Sequence, residues 1–244
     1  LRRARPELVV STGSAIALAV LPAARALGAR VCFIESAAMR VGHTRTGRIL
    51  SRVPGIETFS QSVSTSGGRW RHIGSVFDGF TSERSVERVA PERVVVTVGT
   101  SQEFGFRNLL ERVADIVPDG VDVLWQTGVT DLDGLGIDAR PWVPEAELRN
   151  AMINADVVIA HAGGGTALSA LMCERRPILV PRRANAGEFN DDHQEELTTE
   201  LVAAGLAQRG SCETLTWEDV VEAARWSVSR SDLAIDLPLR PGPD

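Results

Sequence analysis

Short runs of Val, Ile and Leu, each closed by turn-forming residues, recur along this chain and alternate with longer segments whose apolar residues return at helical spacing. The runs predict strands at Leu8 to Ser11, Arg30 to Ile34, Arg93 to Val98, Asp122 to Gln126, Val157 to Ala160 and Pro177 to Val180. The longer segments predict helices at Ala15 to Leu27, Phe104 to Ile116, Glu145 to Asn154, Thr166 to Cys173, Asp192 to Ala204 and Trp217 to Ser229. Continuous apolar strands separated by helices belong to parallel sheets buried on both faces. The expected class is α/β, doubly wound.

The pattern breaks between Gly79 and Glu92, a polar, charged stretch ending beside Pro91. The chain therefore divides into a front lobe over 1–80, a linker over 81–92, a rear lobe over 93–230 and a tail over 231–244, expected to be disordered from Leu237 to Pro243. The front lobe is short for a complete Rossmann-like unit.

With 43% hydrophobic and 24% charged residues in 244, the composition is that of a soluble globular chain. Three scattered cysteines, Cys32, Cys173 and Cys212, indicate neither a disulfide framework nor a zinc site and suit a reducing cytoplasm. The longest apolar run, Ala15 to Ala24, is half the ~20 residues of a membrane span and contains Pro22. It reads as a buried helix. Net charge is -6, yet residues 36–76 carry six arginines against the single acid Glu57. That basic surface would attract anionic headgroups or a diphosphate-linked acceptor, or it is simply a solvated face. Nucleic acid fits poorly, since Trp70 alone interleaves with those arginines.

The strand, glycine turn and helix running from Asp156 through His161-Ala-Gly-Gly-Gly-Thr166 form an anion site in sequence. Glycines admit close approach to the backbone, and the free N–H groups and dipole of a helix start favour negative charge. Downstream, Glu188 and the run Asp191-Asp192-His193-Gln194 place carboxylates, an imidazole and an amide at another helix start. A phosphate cradle beside a hydroxyl-binding cluster suggests a nucleotide-sugar site. Asp131-Leu-Asp133 has the Asp-x-Asp form of metal-dependent transferases but sits in a turn where Asp and Gly are ordinary. Gly13 and Ser14, before the first helix, could bind an acceptor diphosphate by the dipole argument, with Arg48 assisting.

In these residues the rear lobe resembles the donor domain of GT-B glycosyltransferases of family 28. The matching pieces are Val96-Thr-Val-Gly-Thr100, Gln126-Thr-Gly128, Ala155 to Thr166, and Val180-Pro-Arg182 leading to Gly187-Glu188 and Asp191 to Gln194. The front lobe resembles the acceptor and membrane subunit of a two-subunit UDP-N-acetylglucosamine transferase, through Val10-Ser-Thr-Gly-Ser14, Phe33-Ile-Glu-Ser36, Thr46-Gly-Arg48 and Ile73-Gly-Ser75. The chain thus looks like a fusion of the two subunits and is similar to exopolysaccharide enzymes. The resemblance places a further strand and a Gly-Gly-His-type loop ahead of Leu1, so the front lobe is expected to be incomplete.

The resemblance implies two lobes with a cleft between them, and an inverting transfer from a UDP-sugar to a lipid-linked, polyprenyl-diphosphate acceptor. Such a reaction must stabilise a leaving diphosphate, orient a sugar and remove a hydroxyl proton. Gly163, Gly164, Gly165 and Thr166 would hold the diphosphate with His161, and no metal would be required. Glu188, Asp192, His193 and Gln194 would hold the sugar, although Asp192 also fits an ordinary N-cap. Gly99, Thr100, Ser101 and Gln126 would border the donor cleft, and uracil would rest on the loop of Trp142 and Val143. Ser169 stands where many relatives carry an acid that holds ribose. Glu35 matches an acid facing the acceptor, either as the base or as a positioning group, with His43 the weaker candidate. Arg182 or Arg183 would suit a uronate. A partner subunit, a second copy of the chain or peripheral membrane contact at the cytoplasmic face would fit an exposed cleft and a basic patch. Two alternatives stand beside this reading: a non-catalytic nucleotide-sugar-binding or assembly partner, and a UDP-sugar 2-epimerase.

Overall fold

The computed structural model describes residues 6–87, 90–182 and 193–231. The expectations for Arg183, Glu188, Asp191, Asp192 and the tail lie outside them. Two compact units divide after Gly79, the second being Phe80–Ser231.

The first unit is a parallel sheet in the order β1-β2-β3-β4: β1 (Leu8–Ser11), β2 (Arg30–Ile34), β3 (Ile56–Ser60) and β4 (Trp70–His72). Helix α1 (Ala17–Ala26) buries Ala17, Leu21 and Ala24, spaced by four and three residues, and these pack with Val31, Phe33, Ile56 and Trp70. The opposite sheet face carries Cys32, Ile34 and Phe59. Helix α2 (Arg45–Leu50) closes over β2 at Gly47, where a Cβ would strike Glu35, Trp70 and Phe33.

The second unit is built on a six-stranded parallel sheet in the order β11-β10-β9-β6-β7-β8. Its strands are β6 (Arg93–Thr97), β7 (Asp122–Gln126), β8 (Ala139–Arg140), β9 (Val157–His161), β10 (Ile178–Val180) and β11 (Gln208–Arg209). Alternate residues Val94, Val96, Val157, Ile159, Ile178 and Val180 face α3 (Arg107–Ile116) and α7 (Trp217–Ala223) in one core. Val95, Val158, Ala160 and Leu179, on the other side of the pleat, are equally buried, as are residues of α4 (Glu145–Asn154), α5 (Gly164–Met172) and α6 (His193–Ala203). The chain runs outward through β6, β7 and β8, then returns to lay β9 on the other side of β6. That reversal is a topological switch point, and ligands of open α/β sheets bind outside the carboxyl ends of strands there.

Two expectations change. Residues of the predicted linker form β5 (Phe80–Arg84), which pairs antiparallel with β12 (Trp226–Arg230). The helix expected from Trp217 to Ser229 ends at Ala223, because Trp226-Ser-Val-Ser-Arg alternates with period two, buries Val228 and finds its partner in β5. Arg84 and Glu222 clamp the pair with two contacts of 2.7 and 2.9 Å, and Arg176 stacks 4.3 Å from the Trp226 ring. No helix among the described residues is long and apolar enough to cross a membrane.

Candidate active site

A cleft of about 560 Å³ opens at the switch point, lined by residues that follow β6, β7 and β9. Eleven of the residues singled out in the sequence meet there: Gly99, Thr100, Ser101, Gln126, Trp142, Val143, His161, Gly163, Gly165, Thr166 and Ser169. Gly164 opens α5 beside them without lining the cleft.

The glycines serve two purposes. His161 lies between Gly99 and Gly163, and a Cβ at either position would collide with its imidazole, within 2.5 Å of Cε1 from Gly99. Gly99 also has φ +77°, a backbone conformation that suits glycine. Gly163 is the N-cap of α5 with extended backbone, so the amides at the start of this helix have no partner one turn earlier. A Cβ on Gly165 would meet nothing within 4 Å. Its lack of a side chain therefore answers to the open cleft rather than to packing.

The cleft is braced by polar contacts. Gln126 donates to Thr97 Oγ1 (3.0 Å) and accepts from the Val143 amide (3.2 Å), tying β6, β7 and the Trp142 loop together. Ser101 Oγ accepts from the amides of Glu103 and Phe104, shaping the turn after β6. Gln126 and Ser101 thus have framework partners as well as places on the wall. Val143 is buried whereas Trp142 is 62% exposed, presenting a flat apolar face to whatever enters.

His161 carries the unusual electrostatics. Burial, followed by the Arg182 guanidinium, pushes its imidazole down to about 4, and the Thr97 backbone offsets only part of this. It is neutral at physiological pH, and its buried Nδ1 has no hydrogen-bond partner. Gln194 is buried too, its Oε1 accepting from the Arg182 amide at 3.0 Å, and neither it nor His193 is among the residues lining the cleft. His193, the first residue of α6, has Nδ1 3.8 Å from Glu196 Oε2.

Sequence reasoning missed Glu145, the one carboxylate among the described residues lining the cleft. It stands in the first turn of α4, where an acid also suits the helix dipole. Its adjacency to Trp142 and Val143 was the available signal.

In the first unit the expectations change more. Glu35 is 1% exposed and fully engaged: Oε1 accepts from the Ser36 amide, and Oε2 from the amide and hydroxyl of Thr44. A carboxylate so enclosed holds the loop from Ser36 to Thr44, its hydrogen bonds made within the unit rather than offered to an acceptor. His43 stacks on Trp70 (3.9 Å, 9°) with Nδ1 3.9 Å from Glu35, and burial lowers its pKa against the pull of that carboxylate. Gly13 (φ +142°) and Ser14 (φ 71°) form a turn a few residues ahead of α1, whose first residue is Ala17, while Arg48 is exposed in the last turn of α2. Arg40, counted in the basic surface, is instead buried and donates to the Gln61 carbonyl. Asp131 accepts from the Asp133 amide, the geometry of an ordinary Asx turn.

The model of the glycosyltransferase family 28 C-terminal domain matches residues 93–225, more than half of the chain. The chain belongs to glycosyltransferase family 28. Among curated proteins it is similar to the UDP-N-acetylglucosamine--N-acetylmuramyl-(pentapeptide) pyrophosphoryl-undecaprenol N-acetylglucosamine transferases of Chlorobium luteolum (24% identical over 221 residues) and Chlorobium limicola (26% over 226). Each alignment covers 85% of this chain and reaches into both units, while the chain spans only 60% of those relatives. Among solved structures, MurG of Acinetobacter baumannii is similar with TM-score 0.57 and 19% identity over 91% of this chain and 64% of its own. The family 28 chain thus has the GT-B type of α/β fold.

Proposed function

We propose that this chain is the donor-binding and part of the acceptor-binding portion of an inverting glycosyltransferase. It takes a sugar from a UDP-sugar and passes it to a lipid-linked, polyprenyl-diphosphate acceptor in cell-surface polysaccharide assembly. The observation that carries the reading is the switch-point cleft, where the open amides of α5 and the neutral His161 face one volume. The diphosphate would take the amides of Gly164, Gly165 and Thr166 and the Thr166 hydroxyl, with His161 donating from one ring nitrogen. Uracil would lie against Trp142, and the sugar would reach Gln194 together with His193, Asp192 and Glu188. Charge stabilisation by a helix start needs no metal. The exposed arginines Arg45, Arg48 and Arg52 would bring the protein to an anionic membrane face on the cytoplasmic side.

Titration calorimetry with UDP, using GDP as control, on the chain and on Thr166→Ala tests this. Selective UDP binding, weakened about tenfold by the loss of one charge-assisted hydrogen bond, is expected. Binding of neither nucleotide would sink the reading. The enclosure of Glu35 favours a second reading, a nucleotide-sugar-binding partner that does not turn over. UDP binding without transfer of radiolabelled sugar to a polyprenyl-diphosphate acceptor would select it.

A further inference from the structure

The turn after β7 adds nothing to the lining of the cleft beyond Gln126, yet it touches both of the walls that would grip a nucleotide. Gly128, two residues past the end of β7, has φ +56°, in the left-handed region that favours glycine. A Cβ there would come 3.0 Å from the Gly99 carbonyl oxygen and 3.8 Å from that of Ser101. This is backbone against backbone, so a side chain at 128 could be admitted only by moving the turn that carries Gly99, Thr100 and Ser101. That turn abuts His161 through Gly99. The Gly128 amide, for its part, donates to the Pro141 carbonyl at 2.9 Å, and the Thr127 amide to the Arg140 carbonyl at 3.0 Å. Pro141 is the residue before Trp142. Gln126 spans the same two walls with its side chain, through Thr97 and Val143, and Gly128 spans them with its backbone.

We propose that Gly128 is a positioning residue of the donor cleft: by placing no side chain between the Gly99 turn and the Trp142 loop, it sets the spacing at which a diphosphate and a base are held as one ligand. This rests on the reading of the cleft as a UDP-sugar site. A nucleotide gains from binding by both ends only when the two subsites stand at the distance that its own covalent frame imposes. A methyl at position 128 would displace the Gly99 turn from the loop by a few tenths of an ångström. It would leave the atoms of each subsite as they are.

The test compares the wild-type chain with Gly128→Ala and Gly128→Asn. UDP binding is read by calorimetry, uridine and inorganic pyrophosphate by NMR titration of the amide signals, and stability by thermal unfolding. Both variants carry the Cβ, but Asn tolerates a left-handed backbone better than Ala and should melt higher. Both should bind UDP at least about fivefold more weakly than wild type, while uridine and pyrophosphate each stay within about twofold. A merely structural role would spare UDP affinity in the folded variants, or would weaken UDP and both fragments alike. Either result overturns the proposal. Wild-type UDP affinity in Gly128→Asn alone does so too, since backbone strain rather than the approach to Gly99 would then be the cause. Should Gly128→Ala not fold, Gly128→Asn decides by itself. A wild-type chain that binds no UDP removes the reading of the cleft itself, a failure distinct from a variant that binds normally.

Discussion

Glu35 and Thr44 form a closed pair: Oε2 of the carboxylate accepts from the Thr44 amide at 2.9 Å and from its hydroxyl at 3.1 Å, while the same hydroxyl accepts from the Gly47 amide and caps α2. Replacing Glu35 by Gln offers an NH2 group to two donors and leaves at least one of them unsatisfied in a buried place. The expected cost is about 2 kcal/mol. Urea unfolding followed by Trp70-sensitive fluorescence should show an earlier transition for Glu35→Gln, with UDP affinity within twofold of wild type. An unchanged midpoint would return Glu35 to the list of free carboxylates and reopen its role as a base.

Gly163 and Gly165 differ in what surrounds them, although the sequence writes them alike. Ala at 163 drives a methyl into the His161 imidazole, so Gly163→Ala should destabilise the second unit by about 1–3 kcal/mol, the usual cost of overpacking. Ala at 165 meets open space inside a helix and should raise stability slightly, by up to ~1 kcal/mol. It should nevertheless weaken UDP binding, because the methyl enters the cleft. Melting curves and calorimetry on both variants separate the two effects, and equal behaviour would contradict the assignment.

The α/β class and the residues of the cleft were legible because they rest on local signals: Val/Ile runs such as Val94 to Val98, and a glycine turn at a helix start. Strand β3 was not legible, since Thr58 and Ser60 interrupt its apolar pattern and bury their hydroxyls against the Arg69 and Ser62 carbonyls. Strand β12 was hidden for a different reason. Its period-two alternation is only five residues long and follows directly on a helix, and the strand that pairs with it, β5, lies more than a hundred residues away. Burial of charge is similarly non-local for Arg40 and Arg182, which reach carbonyls far along the chain, whereas Glu35 is enclosed by the amides of Ser36 and Thr44 that follow it.

Glu145 and Ser169 both line the cleft, so a carboxylate is present even though position 169 is not an acid. A carboxylate there is matched by a donor pair such as the ribose hydroxyls. Glu145→Gln should weaken UDP binding about tenfold, the worth of one hydrogen bond to a charged group. The same substitution should scarcely affect 2′-deoxy-UDP, which the wild-type chain should already bind less tightly. Calorimetry over the four combinations measures the coupling directly. Additive losses would show that Glu145 does not meet the ribose 2′ position.

His161 ties stability to pH with a definite sign. Its folded value of about 4 lies below the ordinary 6.5, so as pH falls the unfolded chain takes up the proton before the folded one does. Stability is therefore undiminished above pH 6.5 and is lost progressively toward pH 4, by about 3 kcal/mol in all at 1.36 kcal/mol per unit. His43, also lowered, works in the same direction. Between pH 6.5 and 5, before most carboxylates titrate, the His161 share should be about 2 kcal/mol. His161→Asn removes the titrating ring, and the urea midpoint of its second unit should fall less over that interval than the wild-type midpoint does. UDP should shift the wild-type curve as well. A diphosphate beside the imidazole favours its charged form, so nucleotide binding should draw a proton from solution at pH 6, visible as a dependence of the calorimetric heat on the buffer's ionisation enthalpy. Parallel pH profiles for wild type and His161→Asn would mean that the ring is solvated in the folded chain and that the floor of the cleft is open to water.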